Sequence, residues 1–173
     1  EMTGDGFEEV KNPSISFLEG DLSLSFPGSV FSCVMEGNRP FLINIQALVS
    51  QTVFGYPQRK ASGFDLNRLQ VLSAVISKKQ KLDLTNQDII LNIVGGFKTS
   101  DPALDLAVSM SIISSFLNKE IGKEKAVLGE LGLSGEIRSV AYLDMRLREI
   151  EKMGFKEIIL ADMANDKDRV KVI

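Results

Sequence analysis

Apolar positions along the chain recur with two different periods, and these set out the expected elements. Ser29 to Met35 and Phe41 to Val49 are β-rich runs. They are parted by Glu36-Gly37-Asn38-Arg39-Pro40, a turn composition that predicts a hairpin. Ser50 to Gly63 is polar and glycine-containing, and reads as a loop too long for a tight turn. From Asp65 to Lys79 the period changes. Leu66, Leu69, Leu72 and Val75 or Ile76 follow helical spacing, and lysines close the last turn, where the helix dipole favours them. Asp88 to Val94 alternates Ile89, Leu91 and Ile93 against Ile90, Asn92 and Val94, a strand that Gly95-Gly96 ends.

Asp101 is placed to cap the next helix, with Pro102 in the first helical position, where a missing N–H costs nothing. That helix is expected to run to about Asn118, apolar on most faces and therefore central. Ala126 to Leu133 and Glu136 to Val140 predict a second hairpin across Ser134-Gly135. Tyr142 to Met153 predicts an amphipathic helix stopped by Gly154. Lys156 to Leu160 reads as a strand, Ala161 to Asp166 as a short helix or loop, and Val170 to Ile173 as a further strand. Strands and helices that alternate after an antiparallel start imply an α/β (α+β) fold, a mixed sheet with helices packed against it. Glu1 to Pro13 is acidic and without periodicity, so residues 1–19 are expected to be the tail of an upstream domain or linker, and 20–173 the folded domain.

Composition narrows the chemistry. Hydrophobic residues make up 44% of the 173, enough for a core that buries roughly two-thirds of the unfolded surface. No apolar run approaches the ~20 residues that cross a bilayer, and Glu1 to Val10 lacks the apolar stretch of a signal peptide, so the expectation is a cytoplasmic protein. With no histidine, neither a Ser-His-Asp nor a Cys-His nucleophile system can form within this chain. One cysteine, Cys33, excludes an internal disulfide and, with no histidine, the usual zinc site; its apolar setting predicts a buried, inert thiol. The net charge is −3 but unevenly spread. Glu1 to Glu36 holds seven acids and one base, whereas Thr52 to Lys98 holds seven bases and three acids. Such a basic region can attract phosphate on an acidic protein because screening keeps each charge local, within about 8–10 Å; a solvated helix face would give the same pattern.

Gly95-Gly96-Phe97-Lys98-Thr99 fails as a Walker A loop. Phe97 stands where the glycine before Lys-Thr is needed, and Asn92 where the first glycine is needed. Gly129, Gly132 and Gly135 do not match the dinucleotide spacing and read as turn glycines.

Three strings carry a family resemblance: Tyr56-Pro57-Gln58-Arg59-Lys60-Ala61-Ser62-Gly63-Phe64-Asp65 with Asn67-Arg68-Leu69, then Gly95 to Ala107, then Gly129-Glu130-Leu131-Gly132-Leu133-Ser134-Gly135-Glu136-Ile137-Arg138. In order and content they resemble the C-terminal domain of the RadA (Sms) family of bacterial DNA-repair ATPases. The resemblance covers nearly the whole chain. It implies the fold shared by Lon proteases and domain 2 of ribosomal protein S5. Lon proteases use a Ser-Lys dyad. Aligned on Pro102, the serine position holds Ala103; aligned on the Gly129-Glu130 hairpin and Leu143, the lysine position holds Asp144. A methyl group cannot attack a carbonyl, and an acid reverses the charge that would tune a serine, so no catalytic residue is expected. A substitute pair of Ser100 or Thr99 with Lys98 is the remaining peptidase alternative.

The resemblance further implies homologous recombination and DNA repair. It implies hexameric rings, translocation on DNA, branch migration with the RecA recombinase, and ATP, Mg²⁺ and zinc bound by upstream domains outside this chain, with no cofactor in it. The domain would act as ring scaffold and as a surface for single-stranded or branched DNA, without sequence specificity. The expected DNA-binding residues are Lys98 and Arg138, meeting in the former protease cleft, with Arg59, Lys60 and Arg68 adding positive potential. Surface cations or ring salt bridges would account for the same residues, as would a pure assembly module that touches no DNA.

Overall fold

The computed structural model describes residues 2–3, 6–7, 25–53, 55–161 and 170–172. Met2–Thr3 (β1) and Gly6–Phe7 (β2) pair antiparallel, a two-residue ladder too short to leave a pattern in the sequence. The expected start of the domain near Gly20 and the expected helix or loop over 161–166 lie outside the described residues, Ala161 excepted.

The mixed α/β architecture expected from the alternation is what forms. Seven strands make one sheet: Ser29–Glu36 (β3), Arg39–Gln51 (β4), Arg59–Ser62 (β5), Gln87–Ile93 (β6), Lys125–Val127 (β7), Glu157–Ala161 (β10) and Val170–Val172 (β11). Their order across the sheet is β11-β10-β7-β3-β4-β6-β5. β3 and β4 form the expected hairpin, closed at Glu36↔Arg39 so that the turn shrinks to Gly37-Asn38, with Gly37 in the left-handed region. β4 runs past the expected Val49 because its far half pairs antiparallel with β6, from Ile45↔Ile93 to Gln51↔Gln87.

Two expectations change. The span Ser50 to Gly63 is not all loop: it ends in β5, which pairs parallel to β6 as an edge strand. Four mostly polar residues at a sheet edge give no alternation to read. The second hairpin is also smaller than expected. Ala126 and Val127 belong to the main sheet, between β3 and β10, and only Glu130–Leu131 (β8) and Ile137–Arg138 (β9) form the two-stranded ladder. One apolar run thus serves a buried strand and a hairpin arm in succession.

Leu66–Gln80 (α1) is capped by the Asp65 carboxylate, which accepts the Arg68 N–H at 2.7 Å. The central helix begins as a 3₁₀ turn, Pro102–Leu104, and continues as Asp105–Leu117 (α2). Leu143–Lys152 (α3) is the third helix. α1 and α2 cover one sheet face. Their Leu69, Leu72, Val108 and Ile112, with Leu104 of the 3₁₀ turn, share a core with Val34 of β3, Ile43 and Ile45 of β4, and Ile89, Leu91 and Ile93 of β6. α3 covers part of the other face, where Phe31, Cys33, Leu42, Ala126 and Leu128 meet Ile150, Phe155, Ile158 and Leu160. Cys33 is fully buried, and burial pushes its thiol up to about 12, so it is the inert thiol expected. No helix among the described residues is long and apolar enough to cross a membrane.

Candidate functional site

Two ion pairs, each with one buried member, hold the start of the central helix. Asp101 caps the 3₁₀ turn: its Oδ1 accepts the Ala103 N–H at 3.0 Å. Its Oδ2 accepts the Met35 N–H at 3.2 Å and a hydrogen from Arg146 Nη2 at 2.7 Å. Four residues on, Asp105 has no exposed surface and is paired with Arg68 of α1 through both carboxylate oxygens. Arg68 also donates to the Leu131 carbonyl at 2.9 Å, and Asp105 accepts the Leu131 N–H at 3.1 Å. The helix start is therefore tied to β3, α1, α3 and the β8–β9 hairpin.

Ala103 lies between the two pairs and is buried. Its carbonyl accepts the Gly129 N–H, and the Gly129 carbonyl accepts the Leu106 N–H, both at 3.0 Å. A Cβ on Gly129 would meet Ile137 and Leu106 side-chain atoms at 3.0 Å, so glycine allows this close approach of hairpin to helix. Asp144 sits exposed in the first turn of α3, where a helix dipole favours an acid. Among the described residues no group of three or more His, Cys, Asp or Glu could hold a metal ion.

The five cations singled out from sequence differ in their surroundings, and the depressions lined by Lys98 and by Arg68 adjoin, sharing Phe64, Asp65 and Ser100. Lys98 is exposed on the loop after β6 and lines a shallow depression with Ala61, Gly63, Phe64, Asp65, Thr99 and Ser100. Arg138 does not share that depression. Its guanidinium binds Glu130 at 3.2 Å and also Glu136, and the Glu136 bond raises its pKa further. Lys98 and Arg138 line different depressions, and the hairpin acids hold the arginine. Arg59 points into the carbonyls at the end of the α1–β6 connection, bonding Leu84 at 2.8 Å and also Gln87, and burial lowers its pKa. Arg68 is spent on Asp105, whose hydrogen bond raises its pKa. Lys60 is exposed on β5, opposite Ile90 of β6. Thr99 is engaged in the loop itself: its N–H donates to the Gly63 carbonyl and its Oγ1 accepts the Asp101 N–H, both at 3.0 Å.

Sequence reasoning missed Arg146, the largest fully buried side chain among the described residues. One signal could have found it. Leu143, Leu147 and Ile150 form the inward stripe of α3, and Arg146 falls within that stripe, a charge where the pattern calls for an apolar residue.

Residues 47–164 match the family described as Subunit ChlI of Mg-chelatase. The chain belongs to this family. Its relatives include the DNA repair protein RadA of Halalkalibacterium halodurans, 46% identical over 162 residues, which are 94% of this chain and 35% of that protein. The DNA repair protein RadA of Aquifex aeolicus is 43% identical over 159 residues, 92% of this chain and 35% of that protein. That of Bacillus subtilis is 46% identical over 160 residues, with the same shares, 92% and 35%. The resemblance to RadA proteins read from the three strings is therefore shown, and the chain spans about a third of the length of the curated relatives it matches.

Proposed function

We propose that this chain is the non-proteolytic, Lon-type domain of a RadA-type DNA-dependent ATPase of the cytoplasm, acting in DNA repair and homologous recombination. In this reading it supplies a ring scaffold, in a homohexamer working with the RecA recombinase, and a surface for DNA during branch migration. ATP, Mg²⁺ and zinc belong to parts of the protein outside this chain. What carries the reading is that the resemblance puts Ala103 and Asp144 at the dyad positions of Lon proteases, and that ion pairs stand on both sides of Ala103. Similarity to proteins named DNA repair protein RadA supports it.

Of the expected DNA contacts, Lys98 and Lys60 are the exposed ammonium groups; Arg138 keeps part of its surface in water but carries two acids beside it. Contact is made with phosphate rather than bases, because few aromatic residues accompany the cations. Fluorescence anisotropy of labelled DNA with the full-length protein tests this. Lys98→Ala should weaken binding most, Lys60→Ala less and Arg138→Ala least, each more visibly at low salt. Unchanged titrations for all three variants would remove this face from the DNA path.

A second reading, a pure assembly module, is favoured by one observation: Arg59, Arg68 and Arg138 are all engaged with acceptors of the same chain. Rings that persist while no variant alters DNA affinity would support it.

A further inference from the structure

We infer that Arg146 is a positioning residue for the Lys98 loop: through Asp101 it fixes the backbone on which the lysine is presented. The inference rests on the reading of Lys98 as a phosphate contact. An arginine in the apolar stripe of α3 is costly unless its donors are used. Here Nε donates to the Ala141 carbonyl at 2.9 Å, Nη1 to the Cys33 carbonyl and Nη2 to Asp101 at 2.7 Å. Those acceptors lie on three separate segments. Tyr142 adopts a left-handed conformation, φ 56°, at the start of α3, directly after the Ala141 carbonyl that Arg146 holds.

From Asp101 the connection runs on to the loop. The Asp101 N–H is held by Thr99 Oγ1, and the Thr99 N–H by the Gly63 carbonyl. Lys98 stands between Thr99 and Phe97, and the Phe97 ring packs against Phe41 with centroids 5.7 Å apart. Both neighbours of Lys98 are therefore anchored while its own side chain projects from the surface. A leucine or methionine at 146 would fill the core equally well, but would not fix Asp101.

The test uses the full-length protein and labelled DNA titrated over a range of salt. The paired replacement Asp101→Ser with Arg146→Met keeps a capping oxygen for Ala103 and removes both buried charges together, so no charge is left unpaired. On duplex DNA it should reduce the slope of log K against log salt by about 0.9 for each Lys98 of the ring that touches phosphate. Lys98→Ala should do the same, and adding Lys98→Ala to the paired replacement should change the slope no further. A merely structural role would leave the slope alone. If the paired variant does not fold, Thr99→Val breaks the next link without touching the ion pair and should give the same loss. Parent-like slopes in the paired variant, or in Thr99→Val where that variant decides, would overturn the inference while the Lys98 effect stood. A Lys98→Ala protein that binds as the parent does would overturn the reading of Lys98 as a phosphate contact.

Discussion

Asp101 and Asp105 bracket one helix start and each is paired with an arginine, but the two regions are built differently. At Asp105 the acid is fully buried, while the side chain of Arg68 is 33% exposed and can turn to water. At Asp101 the order is reversed: Arg146 is 2% exposed and the acid 13%. The difference shows which partner each region depends on. Loss of an acid strands a charge only where its arginine is buried.

The largest expected effect follows from that asymmetry. Asp101→Ala leaves the Arg146 guanidinium buried and removes a cap, and should cost about 3–5 kcal/mol in urea unfolding. Asp105→Ala lets Arg68 move into solvent and should cost about 1–3 kcal/mol. Equal losses would break the comparison. Gly63→Ala sharpens it from outside. Gly63 has φ 80°, and a Cβ there would lie 2.3 Å from the Phe97 carbonyl oxygen, so the loop must shift although neither ion pair is touched. A loss somewhat above about 1 kcal/mol is expected, below that of Asp101→Ala.

The smallest effect lies at the far end of the sheet. Asp88 accepts the Gln58 N–H and the Thr52 hydroxyl, each at 2.8 Å, and these bonds hold its carboxyl below the ordinary 3.8. The unfolded chain therefore takes up the proton first as pH falls. The contribution of Asp88 is complete above the ordinary value and is lost as pH drops through the lower, folded one. Asp88→Asn should flatten that part of the stability–pH curve slightly.

Much of this scaffold was legible in the sequence. The β3–β4 hairpin, the Asp101 cap and the proline at the helix start are local chemistry, each written within a few residues. β5 was not, because an edge strand of Arg, Lys, Ala and Ser need not bury one face. The site divides along the same line. Ala103 and Asp144 could be placed from aligned strings. The bonds that matter join residues far apart in sequence, 45 residues for Asp101 with Arg146 and 37 for Arg68 with Asp105. Local charge marked Arg59 and Arg68 for DNA, whereas the fold assigns Arg68 to a buried acid and Arg59 to carbonyls.

The most direct measurement is turnover of fluorescent casein by the purified chain. With a methyl group at 103 and an acid at 144, neither the parent nor Ala103→Ser should release peptide, since a serine alone lacks its base. Turnover that survives further purification and disappears in Ser100→Ala would contradict the account.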